Sequence, residues 1–325
     1  MKRILIAGKL GYHEKNITDV IVNGIEDSYQ VSRMGDSYDF FVEANYPNLL
    51  NNYVDSVPPS LKNYDVVLFI DFWNMIFPFF QWKKSVENPS CKFVGLCHGT
   101  VEMENDVALM IQKSKEYEKY LLSSYDHILV HDVWLKELMG NGDNLNLARL
   151  PLQVQFERPR PELKFSSNIY FIHRFNEDKG SDIFIDFIKY CRQDLDLCNV
   201  KFYIFGETDS SYRDDLTFYL GHKNQEEIKN IVQETGGYAW ASVRSEIAAY
   251  GINDLVSYGL TPLLNTHPAY DIFQEEFKYS DFEEAKNIII SEKTYSNLNW
   301  ENAKENFYTI PSIAHFLKGV LKWNQ

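Results

Sequence analysis

The chain is short of cysteine, of phosphate-loop glycines, of positive charge and of long apolar runs, and each shortage removes a class of function. Its four cysteines, Cys91, Cys97, Cys191 and Cys198, form no CxxC pair and no zinc spacing. That excludes a disulfide scaffold and points to reduced core thiols of a cytoplasmic protein. Lysine and arginine total 32 against 46 acids, a formal net charge of -14. A balance of that sign disfavours broad electrostatic attachment to nucleic acid or anionic lipid, though not a local basic patch. No run approaches the ~20 apolar residues that span a bilayer, so membrane contact is at most peripheral. The apolar opening Ile4 to Gly8 is interrupted by Lys9 and by His13 to Lys15, which reads as a first strand rather than a signal peptide. Gly8-Lys9-Leu10-Gly11 lacks the GxxxxGK[ST] spacing, so it is no P-loop. No short-period repeat and no low-complexity tract is present.

What is there is apolar enough to fold: 45% of 325 residues, sufficient for two domains with real cores. Short β-branched and aromatic runs alternate with longer amphipathic ones, the βαβ signature of parallel sheets. In the first half strands are expected at Arg3 to Gly8, Asp65 to Asp71, Lys92 to Cys97 and His127 to His131. Helices are expected at Glu14 to Gly24, Glu102 to Leu122 and Val133 to Met139. Pro151, Pro159 and Pro161 then mark a linker. The second half starts afresh with strands at Asn168 to His173, Val200 to Phe205, Thr217 to Leu220, Tyr238 to Val243, Pro262 to Asn265 and Asn287 to Ile290. Its helices are expected at Ser181 to Arg192, Gln225 to Glu234, Asn253 to Tyr258 and Ser312 to Lys322. This gives a domain at 1–152, a second at 153–311, and a last helix at 312–325 placed to return to the first.

Ile169 to Gly180 is the most informative stretch. A buried strand stops at Arg174, and Lys179 follows just before a glycine and a helix. In a parallel sheet, ligands collect beyond the carboxyl ends of the strands. A planar guanidinium fork and a compact ammonium fixed there suit a diphosphate. Later, Ser245-Glu246 through Gly251 to Asp254 places two carboxylates before and inside another helix start. Cations for phosphate and carboxylates for hydroxyls together describe a nucleotide-sugar site.

In order along the chain, His173-Arg174 through Asp178-Lys179-Gly180, the strand Phe202 to Gly206, the strand Phe218 to Gly221 with Gln225 to Ile228 after it, and Glu246, Asp254 and Gly259-Leu260-Thr261-Pro262 form a recognisable set. This set resembles the retaining GT-B glycosyltransferases, the group of bacterial cell-surface mannosyl- and glucosyltransferases, over Asn168 to Asn265. The chain departs from that pattern at Asp254, where the family usually has Glu, and at Gly251, which sits two positions late. The resemblance implies an α/β fold of two Rossmann-like domains whose parallel sheets face across a cleft. It implies transfer of a hexose from a UDP-, GDP- or ADP-sugar to a hydroxyl of a saccharide or other acceptor, with retention of configuration. It implies no essential metal, because Arg174 and Lys179 serve the diphosphate. Glu246 would contact the transferred sugar and Asp254 the ribose, while Gly206 and Gly221 would shape the nucleotide pocket, and Gly11 the turn that admits substrate.

His98, after the strand Lys92 to Cys97, is a candidate for the sugar or acceptor, with a structural histidine as the alternative. Trp73 opens the aromatic run Phe72 to Lys84, whose faces suit sugar rings, a membrane surface, or simply a core. His127 and His131 share a strand face but lack a third metal ligand, and Asp194-Leu195-Asp196 reads as solvated acids rather than a metal motif. Three rivals remain. One is a DNA-base glycosyltransferase of the phage type, for which Lys83, Lys84, Arg158, Arg160 and Lys164 are a thin basic supply. The others are a non-catalytic sugar- or nucleotide-binding partner and a non-hydrolysing sugar-nucleotide epimerase.

Overall fold

The computed structural model describes residues 2–7, 12–33, 60–74, 77–103, 115–150, 167–206, 212–244, 246, 250–291 and 300–322. Two compact units divide the chain. The first comprises Met1–Glu102, Gln112–Pro151 and Ile310–Gln325, and the second Met103–Ile111 and Leu152–Thr309.

The first unit carries β1 (Arg3–Ala7), α1 (Tyr12–Ile25), β2 (Gln30–Arg33), β3 (Val66–Phe69), α2 (Phe77–Glu87), β4 (Lys92–Cys97), α3 (Lys115–Ser124), β5 (His127–Val130), α4 (Val133–Leu138) and β6 (Leu145–Leu147). Its six-stranded sheet runs β2-β1-β3-β4-β5-β6, parallel throughout. Every residue of β3 is buried, as expected of a strand covered on both faces. The last helix, α10 (Ile313–Lys322), belongs to this unit. Its Ile313, Ala314 and Leu317 join Ile4, Ile6, Ile21, Val66 and Leu129 in one core.

The second unit carries β7 (Ile169–Phe171), α5 (Ser181–Gln193), β8 (Phe202–Phe205), β9 (Thr217–Gly221), α6 (Gln225–Thr235), β10 (Tyr238–Ala241), α7 (Tyr250–Ser257), β11 (Thr261–Asn265), β12 (Lys278–Tyr279), α8 (Phe282–Ile290) and α9 (Trp300–Tyr308). Its sheet order is β12-β11-β10-β7-β8-β9, again all parallel. Side chains alternate across this sheet with the strand period of two. Ile169, Phe171, Tyr238 and Trp240 face one core, with Phe184 and Phe187 of α5. Tyr170, Ala239 and Ala241 face the other, with Ile252, Leu255 and Val256 of α7. The small alanines leave room for α7 to lie close over the middle of the sheet.

Residues 287–290, expected as a strand, are instead the last turn of α8. Asp281 caps that helix by accepting from the Glu284 amide at 2.9 Å, and Ala285, Ile288 and Ile289 face the core at helical spacing. The run of isoleucines carries a strand-like composition, but the cap and the burial period decide for helix. The expected helix Glu102 to Leu122 is seen as α3 at its C-terminal end, and residues 104–114 lie outside the described residues.

Candidate functional site

In the second sheet the chain proceeds from β7 outward to β8 on one side and later to β10 on the other. The loops beyond these two neighbours therefore diverge, which is the switch point where open α/β sheets bind ligands. Arg174 and Lys179 follow β7, and Glu246 follows β10. The Arg174 side chain is 61% exposed. Lys179 lies deeper, its Nζ 3.3 Å from Glu246 Oε2. Between the two cations sits Asp178, only 2% exposed, with Oδ2 3.5 Å from Arg174 Nη2 and 3.9 Å from Lys179 Nζ. Buried carboxylates are tolerated where cations face them, and this one holds both candidate phosphate ligands on one loop.

The loop has little freedom to be elsewhere. Gly180 takes φ 70° between a short 3-10 turn (Glu177–Lys179) and α5. A Cβ there would lie 1.9 Å from the Ser242 carbonyl oxygen, so the glycine is required by close approach as well as by φ. Ser242 Oγ donates to the Gly180 carbonyl at 2.9 Å and accepts from Trp240 Nε1 at 2.9 Å. Arg244 completes the staple: its amide donates to the Asp178 carbonyl at 2.9 Å. Its guanidinium spans the Asp182 carboxylate at 2.7 and 2.6 Å and reaches the Glu177 carbonyl at 2.6 Å.

His173 precedes Arg174 and is buried. Its Nδ1 is 3.8 Å from Glu246 Oε2, and its buried Nε2 has no hydrogen-bond partner among the described residues. Burial pushes its ring down to about 4, against the pull of Glu246, so the imidazole is neutral. The start of α7 lies alongside, since a Cβ on Gly251 would sit 4.0 Å from His173 Cε1. One turn on, burial alone pushes the Asp254 carboxyl up to about 7. Its neighbour Asn253 is 2% exposed, and among the described residues neither side-chain amide atom has a hydrogen-bond partner. Gly206 and Gly221 meet at the ends of β8 and β9, the Gly206 amide donating to the Gly221 carbonyl at 2.8 Å. Both have positive φ, 86° and 66°, and neither would crowd a Cβ, so conformation alone accounts for the two glycines. Residues 245 and 247–249, which lead into α7, lie outside the described residues.

In the first unit, Gly11 lies outside the described residues. His98 has both ring nitrogens engaged. Nε2 is 2.8 Å from the Ile70 carbonyl, which can only accept, so it carries the proton. Nδ1 then accepts from His131 Nε2 at 3.1 Å, and the two rings stack with centroids 5.1 Å apart. His131 is fully buried and held neutral, mainly by that burial. Trp73 is 7% exposed and donates from Nε1 to the Gly99 carbonyl at 3.2 Å. The aromatic run from Phe72 is thus largely core: Phe72, Phe77 and Phe80 are fully buried, while Trp82 is exposed. Lys84 pairs with Asp126 at 2.6 Å and Lys83 is 8% exposed, so neither contributes to an open basic groove. Asp194 and Asp196, expected as solvated acids, both pair with Lys286, at 2.5 and 3.4 Å. Among the described residues there is no group of three metal-ligating side chains and no helix long and apolar enough to cross a membrane.

Sequence reasoning missed His173, Asp178, Ser242 and Arg244. For His173 and Asp178 a signal existed, since both lie inside the motif that drew attention to Arg174. Arg244 and Ser242 had none, because their partners are more than 60 positions away.

No protein-family model matches the chain, and no curated protein matches it in sequence. Solved structures do match. Anabaena Alr3699/HepE, determined in complex with UDP, shares 12% identity at a TM-score of 0.66, over 99% of this chain and 99% of its own. The lipopolysaccharide outer core galactosyltransferase WaaB shares 13% identity at 0.62, over 97% of each chain. TarM shares 12% at 0.62 over 84% of this chain, which spans 57% of the length of TarM. With two six-stranded parallel sheets and these neighbours, the chain has the two-unit α/β fold of the GT-B glycosyltransferases.

Proposed function

We propose that the protein is a glycosyltransferase that moves a hexose from a nucleotide sugar, with UDP as the favoured nucleotide, to a hydroxyl acceptor with retention of configuration. The observation that carries this reading is the convergence of Arg174, Lys179 and Glu246 beyond β7 and β10, at the strand-order switch of a GT-B sheet. UDP in the structurally similar HepE supports the choice of nucleotide. Arg174 and Lys179 neutralise the diphosphate. Negative charge grows there as the glycosidic bond breaks, so fixed cations lower the barrier. Glu246 receives hydroxyls of the transferred sugar, and Asp254 those of the ribose. Gly206 and Gly221 border the nucleotide. The acceptor-binding role of the first unit, with His98 and Trp73 as its candidates and Gly11 in its first turn, belongs to the same proposal. So does activity without an essential metal.

The test is thermal stabilisation by UDP-, GDP-, ADP- and TDP-sugars on wild type and on Arg174→Ala. At a hundredfold excess over Kd, a bound donor stabilises by about 2.7 kcal/mol. The expected result is a shift with UDP-sugars that Arg174→Ala abolishes. Absence of a shift with every nucleotide, or an equal shift in the variant, would overturn the assignment.

A further inference from the structure

We propose that Arg244 is the positioning residue of the phosphate subsite: clamped to Asp182, it holds the turn that carries Lys179, and it serves nucleotide binding through that lysine rather than by touching the ligand. This role rests on the phosphate contact proposed above for Lys179. Lys179 closes a single 3-10 turn, Glu177–Lys179. A turn of that length makes too few hydrogen bonds of its own to fix a side chain. The end of β10 supplies the rest. Arg244 Nη1 donates to the Glu177 carbonyl at 2.6 Å, and the Arg244 amide donates to the Asp178 carbonyl at 2.9 Å. Ser242 Oγ donates to the Gly180 carbonyl at 2.9 Å. The backbone on both sides of Lys179 is thus anchored to a segment more than 60 positions later, and two of these three contacts come from Arg244.

The guanidinium is itself held. Asp182, in the first turn of α5, accepts from Nη1 at 2.7 Å and from Nη2 at 2.6 Å, a bidentate fork. Those hydrogen bonds hold the Asp182 carboxyl below its ordinary value, so it stays an anion and keeps the fork closed. The Arg244 side chain therefore commits three hydrogen bonds to the loop. A lysine carries one point charge and cannot make the fork and the carbonyl contact together. The two side chains are 28% and 50% exposed, and an ion pair so exposed adds little to global stability. What the pair fixes is local: the direction in which Lys179 leaves its turn.

Calorimetric titration of the full chain with UDP and inorganic pyrophosphate tests this, because charge and position predict opposite signs at Asp182. Arg244→Lys keeps the charge and loses the fork, so it should weaken both ligands about threefold to tenfold. Asp182→Ala removes an anion three positions from Lys179, which by charge alone would tighten both ligands. Loss of the clamp should instead weaken them by a similar factor. The double variant should bind no more weakly than either single one, since the pair acts as a unit. In a Lys179→Met background, Arg244→Lys should change UDP affinity less than about twofold. Tighter binding in Asp182→Ala overturns the inference. So does an undiminished loss from Arg244→Lys in the Lys179→Met background, the result expected if Arg244 touches the ligand itself. Wild-type affinity in Arg244→Lys, with binding weakened in Lys179→Met, overturns the clamp and leaves the donor site standing. If wild type binds neither ligand, or Lys179→Met binds both like wild type, the phosphate role of Lys179 falls and the inference with it.

Discussion

An aspartate whose carboxyl is pushed up to about 7 by burial keeps a proton in the folded chain that it loses when unfolded. For Asp254 the sign follows from proton counting. Between its ordinary value of 3.8 and about 7, the unfolded chain binds fewer protons, so stability falls as pH rises and levels off above 7. Below 3.8 both states are protonated and the group contributes nothing. Asp254→Asn removes the titration at nearly constant shape. Because Asp254 retains some solvent contact, the full shift is discounted to about 1–2 kcal/mol. Urea unfolding at pH 4, 6 and 8 should show the variant equal to wild type at pH 4 and more stable by that amount at pH 8. A difference that does not change with pH would refute the protonated state. Residue identity made Asp254, Arg174, Lys179 and Glu246 legible as candidates, since charge type is written in the sequence. Their pairing was not: Lys179 and Glu246 are 67 positions apart and meet only because β7 and β10 are neighbours. The engaged nitrogens of His98 were equally hidden, because His131 reaches it from the next strand.

The loop that ends at Gly180 is the element on which the candidate site depends, and two glycines separate the causes of its shape. At Gly206, with φ 86° and nothing within 4 Å of a Cβ, alanine pays only for the left-handed backbone, about 1–2 kcal/mol. At Gly180 the same substitution also drives a methyl to 1.9 Å from the Ser242 oxygen, so backbone must move. Gly180→Ala should therefore cost about 3 kcal/mol or more, and, by shifting Lys179 next door, should weaken nucleotide binding as well. Denaturation midpoints of the two variants, with UDP titration on each, provide the comparison; equal losses would show that the Ser242 contact yields easily. Elements at the centre of each sheet were readable because burial on both faces demands continuous apolar runs. The strands β2, β6 and β12 were not, and each lies at a sheet edge with at least half its residues outside the core. An edge strand needs no apolar run, so QVSR and KY carry no strand signal. At α8 the β-branched isoleucines favoured the wrong period, and Asp281, four residues before the first of the buried alanine and isoleucine positions, was the cue that outweighs them.

At the scale of the chain, an amphipathic period makes α10 readable as a helix, but nothing local says which core it serves. The structure gives it to the first unit, where Leu317 is fully buried beside strands from the opposite end of the sequence. Each unit has its own core and its own sheet, so damage to one should be felt there first. Leu317→Ala deletes a buried side chain and should cost about 2–5 kcal/mol. Native-state hydrogen exchange can locate that cost. Amides of β1, β3 and β5 should exchange faster in the variant, while those of β7, β10 and α5 keep their wild-type protection. If the second unit binds UDP as proposed, UDP should protect the latter set and leave the former as the mutation left it. Equal acceleration in both sheets would mean that the two units open as one cooperative body. A UDP-induced recovery of β1 and β3 would mean that ligand binding in the second unit stabilises the first, and the separation of cores would then not be a separation of stabilities.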